Sequence, residues 1–188
     1  MSLIKPFCGI RPKKKLAKQV TSPNISYIDN YKPNKKLNFL NLLNANEIKK
    51  SKKILKSLKD KSIIQEDKSS HFYLYRITYK NKKLLGVVGK INLDNYDDKK
   101  ILGHEETFSD RIKKRKEQLI KFNCQISPIY TTYKSTKNSL KKLRNIFNFK
   151  ANYNFISKDN CRHELWIVRN KNKKELLKKY LQKIKKIY

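Results

Sequence analysis

The sequence is poor in several residues that common active sites require. Its 188 residues include 4 Gly, 3 Cys, 1 Trp and 15 acidic residues. The sequence contains no Gly-rich phosphate-binding loop, Ser nucleophile elbow or metal-ligand cluster, so no metal site is predicted. No apolar run approaches the about 18 residues that a membrane-spanning helix needs, so no membrane partner is expected.

The few cysteines indicate a reducing compartment. Cys8, Cys124 and Cys161 are odd in number, widely spaced and without a CxxC pair. Such cysteines are typical of reduced thiols in a cytosol, not of a disulfide framework or a zinc site. Because the basic residues near the N-terminus follow a very short apolar patch, a secretion signal is not indicated either. We expect a cytoplasmic protein.

Basic residues are abundant where acidic ones are scarce. The 47 Lys and Arg give a formal net charge of +32. Surface Lys and Arg release counterions from phosphate backbones, so this excess favours nucleic acid as a partner. Only seven of the 47 basic residues are Arg. This weakens the nucleic-acid interpretation, because phosphate and base recognition prefer Arg. The joint excess of Lys, Asn and Ile is typical of an A+T-rich genome, and both interpretations stay open.

Aromatic residues alternate with other residues in two segments, 72–76 (FYLYR) and 145–155 (NIFNFKANYNF). Such interleaving is what a platform for single-stranded nucleic acid needs. Packing in the core is the commoner cause, and the sequence does not decide between the two.

Apolar periodicity predicts a folded domain that can bury roughly 70% of its unfolded surface. Residues 1–36 hold four of the five prolines and predict an extended N-terminal arm packed on a domain of residues 37–188. Alternation predicts a hairpin at about 72–93 with its turn at 80–83. Helices are predicted at 45–58, 107–122, 139–147 and 173–188, and further strands at 126–133, near 153 and at 164–168.

These interspersed strands and helices predict the fold class. We expect an α+β (or α/β) protein, a single mixed-sheet domain with flanking helices. The terminal helix is expected to present one apolar face, which either closes this domain or binds a complementing half.

The segment before the helix predicted at 107–122 is a candidate site. Thr107 and Asp110 have the spacing of a capping box, and His104, Glu105 and Glu106 precede them. Backbone donors and the dipole at a helix start favour anions, so a phosphate or carboxylate beside a proton-transferring His104 is one interpretation. The alternative is a solvated turn in which an acidic side chain compensates the dipole.

Two further residues are candidates on their position alone. Arg115 falls on the predicted inward stripe of that helix, where it needs a carboxylate, carbonyls or an anionic ligand, unless its head reaches the rim. His163, in the segment CRHELW, is a potential acid, base or metal partner of His104, or a structural histidine. The other members of the stripe are Phe108, Ile112, Leu119 and Phe122.

Short motifs in one order and spacing run through the chain. They are IKPFCGIRP (4–12), Ser22-Pro23, NFLNLLNANEI (38–48), FYLYR (72–76), LDNY (93–96), GHEET (103–107), Arg115, SPIY (127–130) and RHELW (162–166). Together they resemble the N-terminal half of an uncharacterised bacterial family known as domain of unknown function 1015. The resemblance covers nearly the entire chain.

The resemblance implies a fold truncated before the family's C-terminal half. Family members continue into an Ala-Asp-Gly-His-His-Arg motif, which is similar to one in the ParB-like and free-serine-kinase group. This similarity implies phosphate- or nucleotide-handling chemistry for the full-length family. The catalytic candidates are then His104, Glu105 and His163, and the anion-binding candidates are Arg11, Thr107 and Arg115. The Asp of the family's Pro-Pro-Tyr-Asp pattern is missing at Ser22-Pro23-Asn24, which weakens acid/base roles.

Three functions remain as hypotheses. The first is a half-enzyme or accessory domain, completed by a C-terminal half or a second chain and not a complete enzyme alone. The second is a basic nucleic-acid-binding protein. The third is an inactive remnant of an interrupted gene. The sequence identifies neither a substrate nor a cofactor.

Overall fold

The computed structural model describes residues 2–21, 37–39, 41, 48–94, 99–103, 108–126, 128–157 and 160–188. The α-helices in these ranges are α1 (Ala17–Val20), α2 (Ile48–Asp60), α3 (Ser109–Phe122), α4 (Lys137–Ile146) and α5 (Lys171–Leu181), and a 3-10 helix at Lys14–Leu16 precedes α1. The strands are β1 (Ile4–Lys5), β2 (Ile10–Pro12), β3 (Ile64–Glu66), β4 (Tyr73–Tyr79), β5 (Lys82–Val88), β6 (Lys90–Ile91), β7 (Tyr153–Ile156) and β8 (Arg162–Ile167).

A four-stranded antiparallel sheet with the order β5-β4-β8-β7 forms the centre of the fold. The hairpin of β4 and β5 confirms the one predicted at about 72–93. Its tight turn needs a left-handed residue, which Lys80 supplies with a φ of 50°. Two small antiparallel pairs, β1 with β6 and β2 with β3, complete the described sheets. Helices and antiparallel sheets make this an α+β domain.

One face of the central sheet carries the main core. Leu74 and Trp166 are paired neighbours on this face and are almost completely buried. Helices α4 and α5 cover them with Leu143, Ile146, Leu177 and Leu181, which are buried in the same cluster. The Trp166 indole N–H donates to the carbonyl of Phe149 at 2.6 Å, so this large ring is buried without an unsatisfied donor.

The N-terminal residues cover one end of the opposite face. Ala17 packs with Tyr73, Tyr153 and Ile167 in a second buried cluster, and Phe7 lies against it. Residues 22–36 lie outside the described residues, so the division into an arm of residues 1–36 and a domain of residues 37–188 stays a prediction.

Two predicted elements differ from the structure. The segment predicted as a strand at 126–133 is extended but belongs to no strand over its described residues, where Thr132 exchanges backbone hydrogen bonds with Tyr188. The helix predicted at 173–188 ends at Leu181. Its last apolar residues, Ile184 and Ile187, are buried in the core by a non-helical tail. The terminal apolar face therefore closes this domain.

Helix α3 also begins differently. Its N-cap is Phe108, with no side-chain cap, instead of Thr107, which lies outside the described residues. Within the described ranges, every helix is too short or too polar to cross a bilayer.

Candidate functional site

The structure places the described candidate residues on three different elements. Arg11 lies on β2, Arg115 on α3 and His163 on β8. The candidates His104, Glu105 and Thr107 lie outside the described residues.

Arg11 forms a dense hydrogen-bonded cluster with Asp67. Its Nε donates to Asp67 Oδ2 at 3.0 Å, and its Nη2 donates to Oδ1 at 2.6 Å. Its Nη1 donates to the Tyr153 hydroxyl at 2.6 Å. The Gln65 amide oxygen, in the orientation that satisfies both partners, accepts from Nη1 and Nη2 at 2.6 and 3.0 Å. These contacts occupy all five guanidinium N–H groups.

The same cluster controls the charge of Asp67. Burial favours a higher pKa for this carboxyl, but hydrogen bonds from Arg11 and Tyr73, together with the positive charge of Arg11, hold its pKa below the ordinary value. The Tyr73 hydroxyl donates to Asp67 Oδ2 at 2.7 Å and accepts from the Gly9 N–H at 2.8 Å. The Arg11 charge is thus neutralised inside the protein, and in this arrangement it offers no N–H to an anion.

Arg115 is exposed, which corrects the expectation that it faces inward. Its Nη1 donates to Gln118 Oε1 at 3.2 Å. The predicted inward stripe is buried at Phe122 alone among its described members, whereas Phe108, Ile112 and Leu119 are exposed. Among the described elements, helix α3 makes its main contacts with α2, whereas Arg11 lies in the β2–β3 pair and His163 in the central sheet.

His163 is half-buried between two hydroxyl groups. Its Nδ1 lies 2.6 Å from the Tyr75 hydroxyl, and its Nε2 lies 2.7 Å from Ser157 Oγ. The Ser157 hydroxyl donates to the Cys161 carbonyl at 3.0 Å, so it accepts from Nε2–H of His163, and Nδ1 accepts from the Tyr75 hydroxyl. The ring also stacks on Phe155, with centroids 5.2 Å apart and planes at 22°. These contacts are those of a hydrogen-bonded structural histidine.

Tyr75, Phe155 and His163 lie on one face of the central sheet, at the end that the N-terminal residues do not cover. Strand register places Tyr73, Tyr75 and Ile77 on the same face as Leu165 and His163. The N-terminal residues bury the end at Tyr73, but the rest is half-buried or exposed. We call this surface the open face; it comprises Tyr75, Ile77, Tyr79, Leu84, Phe155 and His163.

Lysines lie at both ends of the open face. At the hairpin end, Lys80 and Lys82 are exposed, and the Lys80 ammonium lies 5.6 Å from the centroid of the Tyr79 ring. At the other end, Lys15 and Lys18 are exposed on either side of Ala17, the residue that packs on the sheet. The open face is therefore an aromatic surface between two positively charged ends.

Sequence reasoning missed Tyr75, Phe155 and Ser157 as partners of His163. Period-two alternation was the available signal, because it places aromatic residues on one side of a strand at 72–76 and at 153–155, the part of segment 145–155 that forms a strand. It did not show which end of that side stays uncovered. Among the described residues, no three His, Cys, Asp or Glu side chains lie close enough together to hold a metal ion.

Similarity to known proteins is found at the level of a family. No curated protein and no solved structure matches the chain. The family model described as "Protein of unknown function (DUF1015)" matches residues 4–188, nearly all of the 188-residue sequence. This match confirms the resemblance that the ordered motifs carry. The chain belongs to the DUF1015 family.

Proposed function

We propose that this chain binds nucleic acid and that its affinity comes mainly from unneutralised positive charge. The excess of basic residues carries the proposal. Even if each of the 15 acidic residues neutralised one cation, the charge left over would be +32. Polyanions with regularly spaced phosphates are the macromolecules that such a surface attracts most strongly.

The lysines are placed where a polyanion can reach them. Helix α2 exposes six of them, whereas its Leu58 packs inward. Helix α4 exposes Lys137, Lys141 and Lys142 while its Leu143 is buried, and α5 exposes Lys171 and Lys179 while its Leu177 is buried. The exposed lysines of α2 are Lys49, Lys50, Lys52, Lys53, Lys56 and Lys59.

The best-buried carboxylates do little to reduce this surface charge. Asp67 pairs with Arg11, and Glu164 pairs with Arg76 at 2.6 Å, so each neutralises an arginine within the fold. The exposed cations are mostly lysines, which contact phosphates as point charges and lack the planar fork that reads base edges. The expected binding is therefore strong at low salt and weakly dependent on duplex sequence.

The test is binding of a fluorescent oligonucleotide of about 20 nucleotides, followed by anisotropy between about 50 and 300 mM NaCl. We expect log K to fall linearly with log salt, with a slope that counts the phosphates neutralised. Replacing Lys49, Lys52, Lys53 and Lys56 together by Gln should weaken binding and make the slope shallower.

An opposite-sign control uses the same helix. Asp60→Asn removes an exposed carboxylate from α2 and should leave binding unchanged or tighten it. Absence of binding by the unmodified chain at about 50 mM NaCl would exclude the proposal.

Phosphate or nucleotide chemistry is a second proposal, implied by the family resemblance. The observation in its favour is His163, whose two ring nitrogens both contact hydroxyl groups. The occupied guanidinium of Arg11 and the position of Arg115 on another part of the fold argue against a shared anion site. A C-terminal half or second chain would then have to supply the missing cation.

Thermal unfolding with ATP or phosphate tests this second proposal. A ligand-dependent rise in Tm that His163→Phe abolishes would support it. If neither ligand shifts the Tm, a phosphate site formed by this chain alone is excluded.

We also propose a cytoplasmic location, because Cys8, Cys124 and Cys161 are all free thiols.

A further inference from the structure

We infer that the open face stacks the bases of a single nucleic-acid strand, so that the chain prefers single strands to duplexes. The inference rests on the proposed function and adds the site and the substrate class to it. Its occupant is a single strand of DNA or RNA, held by stacking along the face and by phosphate contacts at the two ends.

The first support is a row of aromatic rings across three strands. Tyr75 of β4, His163 of β8 and Phe155 of β7 follow one another, with neighbouring centroids 6.0 and 5.2 Å apart. The planes of neighbouring rings differ by 24° and 22°. Tyr79 extends the aromatic surface towards the hairpin and is 47% exposed. At these distances nearly parallel rings pack on one another in an offset stack, so His163 is covered by its two neighbours. A base can extend this stack at its outer rings, Tyr75 and Phe155, and it can do so with little regard to sequence because every base has a π face.

The second support is open space within the surface. Gly86 on β5 pairs with Tyr75, and no atom lies within 4 Å of the position that a Cβ would take. A glycine inside a strand weakens the strand, and it often marks a place where a ligand approaches the backbone. The gap beside Tyr75 gives a planar group access to the centre of the open face.

The third support is the arrangement of charge. Lys80 and Lys82 are exposed at the hairpin end of the open face, and Lys15 and Lys18 are exposed on either side of Ala17, which packs at the Tyr73 end. The seven residues of β4 extend over roughly 20 Å along the face, which corresponds to the lower end of the about 4–16 nucleotides that small single-strand-binding domains contact. Phosphates on either side of the stacked bases would therefore meet ammonium groups.

The arrangement distinguishes single strands from duplexes. Bases in a duplex stack on one another and are closed to a flat protein surface, whereas unpaired bases can turn towards aromatic rings. A duplex is left with the phosphate contacts alone. Single strands should therefore bind more tightly than duplexes of equal length at the same salt concentration.

The test uses two variants that keep the strands apolar. Phe155→Leu removes a stacking ring, and Gly86→Ile fills the gap with a residue that strands favour. Each should lower single-strand affinity about tenfold, in line with the loss of one stacked base, while duplex affinity and the salt slope stay the same. Ile156→Ala is the matched control, because Ile156 is 52% exposed on the other side of β7.

The outcomes separate this inference from the broader proposal. If the unmodified chain binds neither form at low salt, the proposed function itself fails. If it binds both forms and the two variants lose nothing, or lose single strands and duplexes equally, the open face is not the site. Binding of DNA and RNA oligonucleotides in parallel shows whether a 2′-hydroxyl contributes; preference for either supports the inference.

Discussion

Arg11 shows how one long-range contact decides what a residue can do. As a sequence candidate it was a cation available to a phosphate, yet the structure surrounds its guanidinium with Asp67, Tyr153 and Gln65. The side chains of Arg11 and Asp67 are 14% and 7% exposed, so water contributes little to either charge. Removing one partner leaves the other buried and unpaired, which makes the pair sensitive to substitution.

We expect Asp67→Asn to lower the free energy of unfolding by about 3 kcal/mol at pH 7, because Arg11 would stay buried without its counter-charge. The pKa of Asp67 is held below its ordinary value, so its stabilisation is complete above the unfolded-state pKa, near 4. It is lost as the pH falls through the folded-state pKa. Urea unfolding between pH 7 and pH 3 should show the two proteins converging towards low pH.

The control for that experiment is the exposed pair of Lys178 and Glu175, which are 2.8 Å apart. Glu175→Gln should leave the urea midpoint unchanged, because exposed ion pairs contribute little. A constant difference between Asp67→Asn and the unmodified protein at every pH would contradict the assigned charge state of Asp67.

Gly86 and Gly89, in and just after β5, should respond differently to substitution by Ala. A Cβ at Gly89 would lie 2.8 Å from the carbonyl oxygen of Lys5 and would also contact the Ile4 side chain, whereas a Cβ at Gly86 meets nothing within 4 Å. Gly89→Ala should therefore lower the free energy of unfolding by about 1–3 kcal/mol, and Gly86→Ala should be neutral or stabilising. Thermal unfolding of both variants measures this difference in stability. Equal losses of stability in the two variants would contradict the prediction.

At the scale of elements, the tail after α5 is part of the core. Ile187 is fully buried and bridges to Ile101, next to backbone hydrogen bonds between 99–103 and the tail. Ile187→Ala should lower the free energy of unfolding by about 2–4 kcal/mol through the cavity it leaves. Ile129→Ala, at a residue 81% exposed, is the control and should change little. Chemical denaturation at one pH compares them, and equal effects would show that the tail does not contribute to the core.

The same tail shows why some elements could be predicted from the sequence and others could not. Ile184 and Ile187 continue the helical spacing of Leu177 and Leu181, so local periodicity extends the helix beyond its real end. The β4–β5 hairpin was predicted correctly because its alternation and turn are both local signals. The tail instead depends on pairing with Ile101, which no local pattern records.

For the site residues, too, local patterns could be predicted from the sequence and long-range contacts could not. Alternation within β4 predicts that Tyr73 and Tyr75 share a face, but the burial of one and the partial exposure of the other depend on where Ala17 packs. The partner of Arg11 is 56 residues away along the chain, and nothing near Arg11 in the sequence indicates it. The candidates at 104–107 lie outside the described residues, so their role stays a prediction.

At the scale of the whole molecule, the charge of +32 acts on stability and on binding in opposite directions. Exposed cations repel one another and destabilise the compact state, and salt screens this repulsion over about 10 Å at 0.1 M. Salt screens the buried Arg11–Asp67 pair much less, so weakening of this pair does not offset the stability gained by screening the repulsion. We expect NaCl between about 20 and 300 mM to raise the Tm of the free chain by a few degrees, each kcal/mol being worth about 2–4 °C at this size.

A bound oligonucleotide should reverse the sign of that dependence. At low salt the complex is stabilised by mass action, and salt weakens it by removing the entropy gained from counterion release. The Tm of the mixture should therefore start above that of the free chain and fall towards it as NaCl rises, which calorimetry of both samples would show. Sucrose at matched osmolality should leave the Tm of the mixture above that of the free chain, because sucrose does not screen charge. A free-chain Tm that falls with NaCl would mean that attractive ion pairs, and not repulsion among lysines, dominate the surface.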